Sequence, residues 1–89
     1  MPRETPERLL QGVGRRVAEL RRQRGWTQLA FAEELGCSVR YVARIEAGGQ
    51  NLTVHRLAWL AGHLEVRTVE LFEEPKHDAV PARRIRVRR

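Results

Sequence analysis

Arg40 and Arg44 stand one helical turn apart, with the small residues Ala43 and Ala47 and the short apolar Val39 beside them. A guanidinium is a planar fork of donors that matches phosphate oxygens or the edge of a guanine, and small neighbours let the backbone come close to that edge. Other chemistry finds fewer partners. Cys37 is the single cysteine and so can form no internal disulfide; its place in the Gly36-Cys37-Ser38 turn, where a small apolar residue packs inside, suits a core filler rather than a redox thiol. His55 and His63 lie more than two helical turns apart, and the three histidines show no zinc spacing, so no metal site is expected. Glu73, Glu74 and Asp78 have no nucleophile or base near them in sequence, and neither a Ser-His pair nor a glycine-rich phosphate loop occurs. No enzymatic activity and no cofactor are expected.

The two arginines need a rigid element behind them, and the chain punctuates itself into helices. Thr5-Pro6-Glu7 is a start signal: a hydroxyl cap, a preset first φ and an acid at the positive end of the dipole. Leu9, Val13, Val17 and Leu20 continue as one stripe to Arg24, with Gly25 as the left-handed stop, although Gly12 and Gly14 each cost ~1 kcal/mol relative to alanine. Thr27 caps a second helix burying Phe31, Ala32 and Leu35 and closed by Gly36. Ser38 caps a third in which Tyr41, Val42 and Ile45 point inward while Val39, Arg40, Ala43, Arg44 and Ala47 point outward, and Gly48-Gly49 ends it. After a Gln50-Asn51-Leu52 loop, Thr53 caps a fourth, with Val54, Leu57, Ala58, Ala61 and Leu64 as its expected apolar face. Thr68–Phe72 adds a further helical turn or two.

Helices joined only by Gly36-Cys37-Ser38 cannot fold back antiparallel, so the second and third cross steeply as a helix-turn-helix over residues 27–47. Phe31, Leu35, Cys37, Val42 and Ile45 lock the pair and leave the outer face of the third helix free for a DNA major groove. Charge agrees with a polyanionic partner. The net charge is +6, and 16 of the 17 basic residues are arginine. Residues 11–72 hold nine Arg against six Glu (+3), and 73–89 hold six bases against three acids (+3). The organisation is therefore a 1–10 N-terminal extension that includes the start of the first helix, a domain over 11–72, and a Pro/Arg-rich basic tail over 73–89. In that tail Ile85 and Val87 alternate with arginines in a pattern open to a strand or to phosphate contact. Eighty-nine residues are too few for a large two-domain enzyme. With no apolar run near ~18 residues and no hydrophobic signal at Met1-Pro2-Arg3-Glu4, a cytoplasmic location is expected.

The run TQLAFAEELGCSVRYVARIEAG, preceded by GRRVAELRRQRGW and followed by NLTVHRLAWLAGHLEVRTVELF, resembles the XRE family of phage repressor and Cro-like helix-turn-helix domains. The resemblance covers about residues 12–72 and is carried by Thr27-Gln28, Ala32, Leu35-Gly36, Ser38, Ile45-Glu46 and Gly48 at the family's spacing. The Asn51-Leu52-Thr53 loop and the Leu71-Phe72 ending are similar to the restriction-modification controller branch. The resemblance implies a compact all-α, five-helix DNA-binding regulator, with Val39, Arg40 and Arg44 as base contacts. It further implies Gln28, Thr27, Tyr41 and Asn51 as phosphate contacts, and Arg21 with Glu46 as a structural ion pair. The chain departs from the family at Leu29 and Ala30, where polar residues are usual, at Leu52 for a frequent proline, and at Glu65 for the glycine that often ends the fourth helix.

A homodimer on a two-fold operator follows as an expectation, because the reading face must stay free and symmetry must set half-site spacing. Trp59, which should face outward, Val69 and Phe72 are its expected anchors. The alternative is an antitoxin or immunity-type protein that binds a partner protein through exposed Leu29, Trp59 and the tail and represses its own operon.

Overall fold

A computed structural model describes residues 4–75 of the chain, and these are all-helical. The order is α1 (Pro6–Gln23), α2 (Gln28–Leu35), α3 (Val39–Glu46), α4 (Val54–Leu64) and a 3-10 helix, Thr68–Phe72. The last element is thus a tight 3-10 segment rather than a fifth α-helix: five residues bounded by extended backbone at Arg67 and Glu73. Residues 76–89, which carry most of the basic tail and its Ile85 and Val87, lie outside the described residues.

Each α-helix starts where a hydroxyl can take up one of its orphan amides. Thr5 Oγ1 accepts from the Arg8 amide at 3.1 Å, Thr27 Oγ1 from Ala30, Ser38 Oγ from Tyr41 and Thr53 Oγ1 from Arg56, each of these three at 3.0 Å. Gly36 ends α2 at φ 76°, in the left-handed region open to a residue without Cβ. Helix α4 has no such glycine: Glu65 takes the left-handed cap at φ 61°.

Val13, Val17 and Leu20 of α1, Phe31, Ala32 and Leu35 of α2, Val42 and Ile45 of α3, Leu57, Leu60, Ala61 and Leu64 of α4, and Leu71 form one buried cluster. Trp26 stacks on Phe31, centroids 5.5 Å apart, and closes the α1–α2 corner. Two expected faces are corrected. On α4 the buried stripe is Leu57, Leu60, Ala61 and Leu64, while Val54 and Ala58 are exposed. These four positions follow the i, i+3, i+4, i+7 rule and give the core a third leucine in place of a valine and an alanine. On α1, Leu9 stands outside the buried cluster and is 39% exposed.

Gly14 has a reason beyond helix propensity. A Cβ there would lie 2.5 Å from the Ile45 carbonyl oxygen and 2.6 Å from that of Glu46, so α1 and the end of α3 meet backbone to backbone. Gly12, with nothing within 4 Å of its notional Cβ, has no such role.

Candidate functional site

Helix α3 is held from the inside and at both ends. Val42 and Ile45 are buried, Ser38 caps its first turn, and its last residue, Glu46, is gripped by two side chains through three N–H donors. Arg21 reaches Glu46 with Nε to Oε2 at 2.6 Å and Nη2 to Oε1 at 3.0 Å, a two-pronged contact between nearly buried side chains. The Gln28 amide donates to Oε1 at 2.9 Å, and Arg21 Nη1 donates to the Trp26 carbonyl at 2.8 Å. One carboxylate therefore joins α1, the start of α2 and the end of α3.

The outer face of α3 is open. Val39, Arg40, Arg44 and Ala47 are exposed and Ala43 is half-buried. Among the described residues, Arg16, Arg21 and Arg24 sit against carboxylates, whereas neither Arg40 nor Arg44 has one within ion-pair distance. Two unneutralised guanidinium groups on a small-residue ridge form a surface able to take two acceptors of a polyanion at once.

The other expected contacts are scattered around that ridge. Gln28 is half-buried and engaged by Glu46. Thr27 is exposed at the start of α2, its hydroxyl already accepting from Ala30, and Asn51 is exposed in the loop before α4. Tyr41 is half-buried against the core, with the Arg56 guanidinium 5.7 Å from its ring centre. Cys37 packs on the core, and burial pushes its thiol pKa up, opposed in part by Arg56, which keeps it protonated and unreactive near neutral pH.

The three expected interface anchors do not share one surroundings. Val69 and Phe72 are exposed, 53% and 47%, and Phe72 lines a groove with Leu9, Gly12, Val13 and Pro75 that the charged Glu4, Arg15, Glu73 and Glu74 also border. Trp59 is half-buried, with the Arg56 guanidinium 4.7 Å over its ring and His63 at its edge. His63 in turn lies 3.5 Å from Glu34 of α2.

Sequence reasoning passed over Arg16, which is buried and donates from Nε to the Glu70 carbonyl at 2.9 Å, from Nη1 to Glu19 at 2.6 Å and from Nη2 to Glu73 at 3.1 Å. It clamps the 3-10 helix onto α1. Only the Glu19 partner, three residues away, was within reach of a local pattern. Among the described residues no cluster of three metal-binding side chains occurs, and no helix is long and apolar enough to cross a membrane.

A helix-turn-helix family model (HTH_3) matches residues 17–71, more than half of the chain. An uncharacterized HTH-type transcriptional regulator, y4dJ, of Sinorhizobium fredii (strain NBRC 101917 / NGR234) is 42% identical over 59 residues, 66% of this chain and 77% of the relative. Among solved structures, the restriction-modification controller protein C.AhdI from Aeromonas hydrophila is similar with a TM-score of 0.65 and 33% identity, over 71% of this chain and 96% of that one. The DNA-binding domain of BldD is similar with a TM-score of 0.70 and 26% identity, over 75% and 97% respectively. With an open arginine-bearing α3 braced on α2 and these relatives, the chain belongs to the XRE-type helix-turn-helix family of DNA-binding transcriptional regulators, which are not enzymes.

Proposed function

We propose that the protein is a cytoplasmic, homodimeric regulator that reads a two-fold operator by inserting α3 into the major groove, one copy per half-site. The observation that carries this is the outer face of α3, where Val39, Arg40 and Arg44 are exposed and both arginines are free of carboxylates among the described residues. In this reading each arginine makes a two-pronged contact with a guanine and Val39 packs on a thymine methyl, each good pair being worth about 1–3 kcal/mol against a wrong base. Thr27, Gln28, Tyr41 and Asn51 touch phosphates and set the register. Gln28 does so while tied to Glu46, so its contact also fixes the pose of the reading helix.

The second copy docks on the exposed apolar residues Val69 and Phe72, with Leu9, also exposed, in the groove that Phe72 lines. Trp59 contributes less to such a contact because Arg56 covers its ring. The test is a titration of DNA from upstream of the protein's own gene at several salt concentrations, followed by footprinting. Affinity should fall by orders of magnitude between ~50 and ~200 mM salt, since several phosphates are neutralised. A flat dependence of log K on log[salt] would remove the DNA reading altogether.

A further inference from the structure

Arg56 is the arginine whose surroundings the recognition surface leaves unexplained. It lies in the first turn of α4, a turn with no acidic residue, so its charge faces the positive end of the dipole and local helix energetics do not account for it. Among the described residues it has no carboxylate within ion-pair distance. Two aromatic faces hold it instead: Trp59, one turn on, at 4.7 Å, and Tyr41 of α3 at 5.7 Å. Both distances are within reach of cation–π attraction, which orients a guanidinium yet leaves its N–H donors uncommitted.

Tyr41 stands beside Arg40 on the flank of α3. A helix with its side chains is about 10–12 Å across and the major groove about 12 Å wide, so a group resting on that flank meets the sugar-phosphate backbone at the groove's rim, not a base. Gln28 is tied to Glu46, the last residue of α3, whereas Tyr41 is in its first turn. A contact beside Tyr41 therefore sits near the opposite end of the reading helix from Gln28.

We propose that Arg56 is a DNA-phosphate contact, positioned by Tyr41 and Trp59 alongside the recognition helix. This rests on the reading that α3 enters the major groove. Tyr41 and Trp59 are positioning residues: they hold the fork in place before DNA arrives and so reduce the freedom lost on binding.

The experiment compares wild type, Arg56→Ala, Arg56→Lys, Trp59→Leu and the Arg56→Ala/Trp59→Leu pair on one labelled operator and on random duplex, across salt. Thermal melts of each confirm folding. Arg56→Ala should make the slope of log K against log[salt] shallower by about 0.9 per half-site, so its deficit shrinks roughly 3.5-fold per half-site between ~50 and ~200 mM. It should weaken specific and random binding alike. Arg56→Lys keeps the charge and should restore the slope. In the Trp59→Leu background, removing Arg56 should cost at least about twofold less than in wild type, a coupling that independent roles would not produce. Ethylation interference should disappear at one phosphate per half-site in Arg56→Ala only. A wild type with a steep slope that Arg56→Ala leaves unchanged overturns the assignment and spares the recognition helix. A flat wild-type slope overturns both.

Discussion

Removing either Arg21 or Glu46 should be among the most damaging single changes in the domain, and the cost should be shared between them rather than additive. Their side chains are 9% and 7% exposed, which places the pair with buried ion pairs, for which loss of one partner costs about 3–5 kcal/mol, and not with surface pairs worth under about 1 kcal/mol. Arg21→Ala leaves the Glu46 carboxylate with only the Gln28 amide; Glu46→Ala leaves Arg21 with only the Trp26 carbonyl. At about 4–8 °C per kcal/mol for a domain of this size, a loss of ~3 kcal/mol lowers the Tm by about 12–24 °C. That is a large part of a total stability of about 5–15 kcal/mol, so urea titrations at low temperature are the appropriate assay. The double Ala variant removes both charges and should lose little more than either single, giving a coupling of about 2–3 kcal/mol. Strictly additive losses, or single losses under about 1 kcal/mol, would mean that no buried carboxylate organises this corner.

Further outcomes follow from local geometry. Gly14→Ala should destabilise by about 1–3 kcal/mol or more, because its Cβ meets backbone oxygens at 2.5 and 2.6 Å, whereas Gly12→Ala, two residues earlier, should stabilise by about 0.8–1 kcal/mol; thermal melts showing the two changes alike would contradict the close α1–α3 approach. Glu65→Gly should raise stability by up to ~1 kcal/mol, since a left-handed cap strains a residue with a Cβ and the Arg24 contact it forgoes, at 3.4 Å, is largely exposed; a lowered Tm would show that Glu65 does more than cap. Val69→Ala and Phe72→Ala should weaken self-association seen by sedimentation at micromolar concentration, and a wild type that stays monomeric, or dimers that both changes leave intact, would remove that surface from the account.

Much of the fold was legible because its signals are short-range. Thr5, Thr27, Ser38 and Thr53 each accept from the amide three residues on, and Gly25 and Gly36 take the positive φ that ends a helix. Val42 and Ile45 against Arg40 and Arg44 were separable by helical angle alone. What stayed hidden depends on distant partners. In the sequence Arg16 is only one of the nine arginines of residues 11–72, because its partners Glu70 and Glu73 lie 54 and 57 residues on. Gly14 read as a propensity cost because the oxygens it makes room for belong to α3. On α4 the helical angle alone admits a stripe through Val54 and Ala58, and only the larger apolar area of leucine over alanine favours Leu60. Trp59 read as a bare anchor because the Arg56 that covers it, one turn earlier, was counted only as charge.

If α3 reads base sequence, selection of binding sites from a randomised duplex library will reveal what it reads. Wild type should enrich two-fold symmetric sites whose half-site centres lie about 34–36 Å, one DNA turn, apart. Arg44→Ala, selected in parallel, should lose its preference at one position in each half-site, by about 1–3 kcal/mol, while keeping the rest of the consensus. A wild-type pool with no enriched sequence, or an Arg44→Ala pool with the same consensus and the same preferences, would contradict base reading by α3.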